Sequence, residues 1–272
     1  MTNYVDNKVV VITGAAGGFG RLTVEKLIEL GGRVLATDIN EKGLNDMAEN
    51  IQSDNLKTMV VDASSNDAMK AMVAYAVETF GSIDVLVNNA GIMPLAWLED
   101  HKKAMPDWEK CIDLNIKGIL YGITAVYDQM IAQGRGQIIN LSSIYGNAPV
   151  EGGTPYGMTK NAVGFMTDAL RNETKGKIKM TTIRPTFCQT ALMNSVVNFT
   201  ATQGLLANKF DANSEVGKLK ETDPRYADPD NILYNLLDPS YIADNIVYVI
   251  NQPWGISISD MTIRASGDYF TE

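Results

Sequence analysis

Short runs of β-branched and apolar residues alternate along the chain with longer stretches in which apolar positions recur every three or four residues. Residues 8–13, 33–37, 57–61, 83–87, 137–141 and 178–183 read as strands, and helical patterns fill the intervals between them. Val9-Val10-Val11-Ile12 is apolar without interruption, as a strand must be when helices cover both faces of a parallel sheet. This alternation predicts an α/β fold with a doubly wound parallel sheet, closed by a last strand near 261–264. Two long helical stretches, at about 107–132 and 156–175, stand out. The second carries Gly157, Ala162, Gly164 and Ala169, small residues that allow close helix packing.

No linker or low-complexity run divides the 272 residues, so residues 1–272 read as one domain. Only the segment 191–238 breaks the rhythm, with Asn, Asp, Gly and Pro interleaved among Leu192, Met193, Val197, Phe199, Leu205, Leu206 and Phe210. A structureless loop of that length is unusual in a compact domain, and a small helical lid over a substrate site is expected instead.

A hydrophobic content of 45% with 20% charged residues leaves no case for disorder. The net charge of −9 opposes nucleic acid and anionic membrane surfaces as partners, because binding to either is driven by clustered Lys and Arg. No apolar run approaches the roughly 20 residues needed to span a bilayer, and the start lacks the basic and apolar regions of a signal peptide, so a cytoplasmic protein is expected. Two cysteines, Cys111 and Cys188, and one histidine, His101, make a disulfide framework or a His-rich metal site improbable, and no metal is expected.

Thr13-Gly14-Ala15-Ala16-Gly17-Gly18-Phe19-Gly20 follows the first strand and precedes an amphipathic helix with Leu22, Val24, Leu27, Ile28 and Leu30. Glycines are needed where the backbone turns sharply from strand to helix and approaches a pyrophosphate, whose charge then rests at the helix N-terminus. The order strand, loop, helix therefore predicts a Rossmann-type dinucleotide site using Gly14, Gly18, Phe19 and Gly20. Asp38 ends the second strand, where its carboxylate can accept hydrogen bonds from adenosine ribose hydroxyls or can cap the helix from Glu41 onward. A 2′-phosphate beside that carboxylate would be repelled, and neither Gly17 nor Ile39 supplies a cation to hold it, so NAD is expected over NADP. Asp62, followed by Ala63, can face the adenine amino group or serve as a turn residue. Asn88-Asn89-Ala90-Gly91 follows the fourth strand at the sheet edge where ligands bind, which nominates Asn88, Ala90 and Gly91 as cofactor contacts.

Tyr156 and Lys160 are spaced i and i+4, on one face of a helix. An ammonium about 4 Å from a phenol is worth about 4 kcal/mol at an effective dielectric near 20, enough to draw a tyrosine toward neutrality before desolvation opposes it. A tyrosine titrating near working pH is a competent general acid or base.

Taken together, Thr13-Gly14-x-x-x-Gly18-x-Gly20, Asn88-Asn89-Ala90-Gly91, Asn115, Ile138-Ile139-Asn140-Leu141-Ser142-Ser143, Tyr156-x-x-x-Lys160 and Arg184-Pro185 closely resemble the short-chain dehydrogenase/reductase family, in its group of single-domain subunits of this size. The matches keep the family's order from residue 8 to about 190, and weaker likeness runs to Arg264. The resemblance implies a tetrad. Tyr156 would exchange a proton with the substrate oxygen, Ser143 would hydrogen-bond that oxygen, and Lys160 would hold the nicotinamide ribose and lower the tyrosine pKa. Asn115 would position a water linking the lysine to solvent. Ser142 rivals Ser143, whose spacing to Tyr156 suits the family better.

Pro185, Thr186, Cys188 and Thr190 would line the nicotinamide, with Thr190 bonding the carboxamide or pyrophosphate. The family usually has Gly where Thr186 stands. Cys188 reads as a buried wall residue rather than a redox thiol. Met93, Pro94, Leu95, Trp97, Ile144, Tyr145, Pro149 and Val150, with apolar lid side chains, would either wall the substrate site or pack the lid against the body. A walling role implies a bulky apolar secondary alcohol or ketone, such as a hydroxysteroid or a cyclic ketone. The resemblance further implies pairing through the two long helices into a homotetramer. A competing reading, an NAD-binding sensor with the fold but little turnover, is most simply signalled by a substituted tyrosine or lysine, and both are present.

Overall fold

The computed structural model describes residues 2–206 and 223–268. Among these residues, seven strands, β1 (Val9–Thr13), β2 (Arg33–Asp38), β3 (Leu56–Val60), β4 (Val85–Asn88), β5 (Gly136–Leu141), β6 (Ile178–Pro185) and β7 (Asp260–Ile263), form a single sheet in the order β3-β2-β1-β4-β5-β6-β7. Every pairing is parallel, and each crossover must therefore pass over a sheet face. Helices α1 (Gly18–Glu29), α2 (Glu41–Ile51), α3 (Asn66–Phe80), α4 (His101–Ile112), α5 (Ile119–Ala132), α6 (Thr154–Glu173) and α7 (Pro239–Ile250) cover the two faces.

Two hydrophobic cores follow from the two-residue period of the strands. Val10 and Ile12 of β1 pack with Val24 and Leu27 of α1, Met47 of α2 and Ile242 and Ile246 of α7. Val11, between them, points the other way and joins Met72 of α3, Ile123 and Val126 of α5 and Val163 of α6. A strand buried on both faces gains nothing from polar alternation, which is why β1 is apolar throughout. The sheet order reverses direction at β1, between β2 and β4, and the loops leaving β1 and β4 flank the resulting crevice.

The helical stretch read at about 107–132 begins earlier, at His101, with Pro106 inside α4. Between α4 and α5 the backbone passes through a π-helical segment, Asp113–Gly118, which contains Asn115. Such single-turn expansions of a helix are often found at functional sites. Gly157 and Gly164 of α6, read as helix-packing positions, face inward. A Cβ on Gly157 would stand 2.9 Å from the Tyr145 carbonyl oxygen, and one on Gly164 would stand 2.7 Å from the Arg184 guanidinium. Within the segment 191–238, short helical turns occupy Ala191–Ser195, Phe199–Leu206 and Pro224–Tyr226; residues 207–222, including Phe210, lie outside the described residues.

Candidate functional site

Loops from the C-terminal ends of β1 to β6, together with the first turns of α6, surround a cavity of about 650 Å³. The glycine loop forms one side. Gly14 has φ +66°, and a Cβ there would lie 2.8 Å from the Ala90 Cα, so the loop needs a residue without one. Two sets of hydrogen bonds join this loop to the turn after β4. The Thr13 hydroxyl accepts from the Asn89 and Ala90 N–H groups at 3.1 Å, and the Asn89 amide donates to the Thr13 and Gly14 carbonyls at 3.0 and 2.8 Å. Gly17 caps α1 without a side-chain bond, and a Cβ on it would meet nothing within 4 Å. Bare N–H groups at the start of α1, beside open space, fit a pyrophosphate.

Gly14, Gly18, Phe19, Asp38, Ile39, Asp62, Ala63, Ala90 and Gly91 all line the cleft. Gly20 and Asn88, expected there too, do not. A Cβ on Gly20 would collide with the Gly14 carbonyl oxygen, so this glycine lets α1 pack against the loop. Asn88 is buried and donates to the Asn140 side-chain oxygen at 2.9 Å, while the Asn140 amide donates to the Thr167 hydroxyl at 2.9 Å. That chain ties β4, β5 and α6 together and spends the amide. Asn89, with the next side chain along, lines the cleft instead.

Asp38 accepts from the Ala16 N–H at 3.0 Å and from the Asn40 N–H at 2.9 Å. The cap of α2 is Asn40, whose side chain accepts from Gly43 N–H at 3.1 Å, so the capping alternative for Asp38 falls away. Asp62 forms a turn, accepting from the Ser64 N–H and hydroxyl at 2.9 and 2.6 Å, and also faces the cleft.

On the opposite side lie Ser143, Tyr156 and Lys160. Ser142 donates its hydroxyl to the Lys160 carbonyl at 2.6 Å, whereas the Ser143 hydroxyl accepts from the Tyr145 N–H at 3.3 Å and, beside the Tyr156 phenol, favours its ionised form. Burial is the larger influence and raises the Tyr156 pKa well above the ordinary tyrosine value. Burial also pushes Lys160 down, to about 8. The Lys160 ammonium lies 5.7 Å from the Tyr156 ring centre and donates to the Leu141 carbonyl at 2.8 Å. In the protein alone, then, the lysine does not draw the phenol toward neutrality; desolvation of both groups prevails.

Asn115 is fully buried. Its side-chain oxygen accepts from the Ile92 N–H at 3.0 Å and its amide donates to the Ile92 carbonyl at 2.9 Å, clamping the strand exit to the π-helical segment. The same amide reaches the Thr159 hydroxyl at 3.2 Å, on the turn of α6 between Tyr156 and Lys160.

Pro185, Thr186, Cys188 and Thr190 line the remaining wall. The Thr186 hydroxyl is buried without a hydrogen-bond partner among the described residues. Cys188 bridges to Leu237, and burial pushes its thiol up to about 12, which suits a wall residue and not a nucleophile. Thr190 caps the turn Ala191–Ser195 and sits over the glycine loop, 3.7 Å from where a Cβ on Gly18 would be.

Of the residues expected to wall the substrate side, Met93, Ile144 and Tyr145 line the cleft. Leu95, Trp97 and Val150 belong to the same apolar cluster as those three but do not line the cleft, and Pro94 accepts at 3.0 Å from the Trp108 indole N–H. Ile92, Phe187, Leu192, Met193, Asn194 and Ser195 also line the cleft. Ser195 accepts from the Met93 N–H at 2.8 Å and so holds the turn 191–195 against the β4 exit. No motif marks Ser195; only its place in the irregular segment gave a signal.

The profile of the short chain dehydrogenase family matches residues 8–200. An uncharacterized oxidoreductase of Staphylococcus saprophyticus is 34% identical over 267 residues, covering 97% of this chain and 98% of that protein. A serine dehydrogenase complexed with NADP+ superposes with a TM-score of 0.76 at 29% identity, covering 94% of each chain. A short-chain dehydrogenase/reductase of Brucella melitensis, described as a glucose/ribitol dehydrogenase, gives a TM-score of 0.78 at 26% identity over the whole of both chains. The glycine loop joined to the β4 turn, the buried Ser143–Tyr156 pair and these matches make one conclusion: this chain belongs to the short chain dehydrogenase family and is an oxidoreductase of that family.

Proposed function

We propose that the protein interconverts a secondary alcohol and a ketone with NAD, using Tyr156 as general acid and base. The observation that carries this reading is the Tyr156 phenol, buried in the cleft beside Ser143 and one helical turn from Lys160. Bound NAD supplies the acceptor for the hydride leaving the alcohol carbon, and in its reduced form the donor for the reverse reaction. In oxidation Tyr156 takes the hydroxyl proton; in reduction it returns a proton to the carbonyl oxygen. Ser143 holds that oxygen. Lys160 holds the nicotinamide ribose and passes the proton on, and Asn115 fixes the backbone along the water route to solvent.

The glycine loop, Asp38, Asp62 and the Asn89-Ala90-Gly91 turn would hold the cofactor, with Thr186 and Thr190 toward its nicotinamide end. NAD is favoured over NADP because the Asp38 carboxylate stands at the cleft, with Ile39 72% exposed beside it, and Lys160 is the one cation among the described lining residues. The same lack of a second cation disfavours a substrate carboxylate. Met93, Ile144, Phe187, Leu192 and Met193 give the cleft apolar walls, which suit a bulky alcohol such as a hydroxysteroid or a cyclic ketone. The described parts of the segment 191–238, residues 191–206 and 223–238, act as a lid. No helix among the described residues is long and apolar enough to cross a membrane. A homotetramer working in the cytoplasm completes the reading.

The test is NADH absorbance with purified protein and NAD+ over a panel of secondary alcohols that includes hydroxysteroids, beside Tyr156→Phe. Turnover in the wild type that disappears in the variant supports the reading. Silence over the whole panel with NAD binding intact would overturn it.

A further inference from the structure

Lys160 is held at both of its ends by two consecutive residues where β5 runs out. Its ammonium donates to the Leu141 carbonyl at 2.8 Å, and its main-chain carbonyl accepts from the Ser142 hydroxyl at 2.6 Å. Ser142 is 4% exposed, and its own N–H donates to the Ile183 carbonyl of β6 at 2.8 Å, so the register of the sheet fixes its backbone. The segment 142–146 grips α6 again further on. The Asn161 amide donates to the Gly146 carbonyl at 2.9 Å, and a Cβ on Gly146 would stand 2.7 Å from the Lys160 carbonyl carbon and oxygen. Gly157 likewise leaves room for the Tyr145 carbonyl oxygen, 2.9 Å from where its Cβ would be.

Ser143 rides on this same segment, and Tyr156 and Lys160 ride on the turn of α6 that the segment grips. A lysine reaches its target on a flexible four-carbon stem, so the place of its ammonium depends on where its main chain is anchored. A ribose entering the cleft competes with the Leu141 carbonyl for the ammonium. It does not compete for the Lys160 carbonyl, whose bond from Ser142 lies within the protein.

From this we infer that Ser142 is a positioning residue: through the Lys160 carbonyl it fixes the turn of α6 that bears Tyr156 and Lys160 against the segment that bears Ser143, and so sets the spacing of these three groups. It acts through Lys160 and not on the substrate oxygen. This rests on the dehydrogenase reading above and deepens it.

The experiment measures kcat, KM and thermal melts for Ser142→Ala, Gly146→Ala and Thr167→Val, with saturating NAD and the secondary alcohol that the wild type turns over best. Gly146→Ala presses on the Lys160 carbonyl from the other side and leaves the Ser142 hydroxyl in place. Thr167→Val removes another buried α6 hydroxyl, one that donates to the Val163 carbonyl and accepts from the Asn140 amide, away from the gripped turn. Misplacement by about 1 Å can cost about 10²-fold in rate, so Ser142→Ala and Gly146→Ala should each lower kcat roughly tenfold or more, with KM for the alcohol within about twofold of wild type. Thr167→Val should lower the melting temperature and keep kcat close to wild type. Three results would each overturn the inference and leave the dehydrogenase reading standing: an unchanged kcat in folded Ser142→Ala, a loss as complete as that of Tyr156→Phe, or a kcat that falls as far in Thr167→Val. NAD binding by the wild type without turnover of any alcohol would overturn both.

Discussion

The Lys160 ammonium stands 5.7 Å from the Tyr156 ring centre and spends a hydrogen bond of 2.8 Å on the Leu141 carbonyl. Four residues along a helix bring the two side chains to the same cleft, yet they do not form a close charge–phenol pair. Both groups are buried, and desolvation disfavours the charged form of each: the tyrosine pKa rises and the lysine falls to about 8. At neutral pH the pair is thus a phenol beside a lysine close to giving up its own proton.

The pH dependence of the two directions follows. In the proposed reaction oxidation delivers a proton to Tyr156 and reduction draws one from it, so emptying Lys160 above its value of about 8 should speed the first and starve the second. Profiles of kcat/KM between about pH 6 and 10 should therefore cross, with opposite slopes through that region. Oxidation that falls as pH rises from neutral, in enzyme that stays folded, would count against Tyr156 as the base. Stability should move with the lysine as well. Between about 8 and the ordinary value of 10.5 the unfolded chain binds a proton that the folded chain has released, so stability should rise with pH across that window. Lys8, also pushed down to about 8 by burial, adds to it with the same sign.

Asn115 anchors the backbone on which Tyr156 and Lys160 depend. Asn115→Ala would leave the Ile92 N–H without its partner, the Ile92 carbonyl with the weak Cys111 thiol donor alone, and the Thr159 hydroxyl with only its bond to the Tyr156 carbonyl and a long contact to the Cys111 thiol. Unpaired buried polar groups cost about 1–3 kcal/mol each, so a lowered melting temperature is expected together with a fall in kcat larger than any change in KM. Thermal melts and steady-state kinetics check this. A variant that melts like the wild type with unchanged kcat would remove the clamp from the account.

In the function proposed above, Asp38 carries the cofactor preference. Asp38→Ser should cost NAD about tenfold or more in kcat/KM, since hydrogen bonds to a charged group contribute about 1.5–3 kcal/mol, while repulsion of a 2′-phosphate is relieved. The ratio of NAD to NADP efficiency should fall. A wild type that already prefers NADP in steady-state kinetics would refute the assignment. The variant also loses the carboxylate bonds to the Ala16 and Asn40 N–H groups, so a titration of cofactor binding should accompany the rates.

Much of this architecture is legible in the sequence because its elements are strongly marked: uninterrupted apolar strands, a glycine loop between strand and helix, and a tyrosine and lysine one turn apart. Three features are not. Asn88 and Asn89 are the same residue type in succession, and only the register of β4 against β5, with Asn88 opposite Asn140, turns the first into the core and leaves the second for the cleft. The π-helical segment around Asn115 is silent because a helix with one expanded turn keeps nearly the same apolar period. The distance between Lys160 and Tyr156 depends on where the ammonium finds an acceptor, and the Leu141 carbonyl belongs to a strand distant in sequence. The walls of the cleft were half legible for a related reason: Leu95 and Met93 are both apolar members of one buried cluster, and only tertiary packing decides that Met93 also lines the cavity while Leu95 does not.

Phe165 is 78% exposed on α6, with Met158, 51% exposed, two turns earlier on the same stripe; on α5, Leu120 and Tyr127 are 40% and 41% exposed along a second stripe. Gly157 and Gly164 face the protein interior, whereas Ala162 and Ala169 are partly exposed on the stripe of Met158 and Phe165, so large apolar side chains with small ones between them are what α6 offers to a second copy. Isolated surface apolar residues are ordinary, but stripes of large ones on consecutive helices mark an interaction surface, and a two-fold axis would set each stripe against its own copy. Phe165→Asp would place two carboxylates close together across such an axis, where like charges repel. Light scattering should then report a tetramer for the wild type at micromolar concentration and a smaller species for the variant, with its secondary structure retained. A wild-type monomer would refute the assembly, and a tetramer that survives Phe165→Asp would move its interface away from these helices.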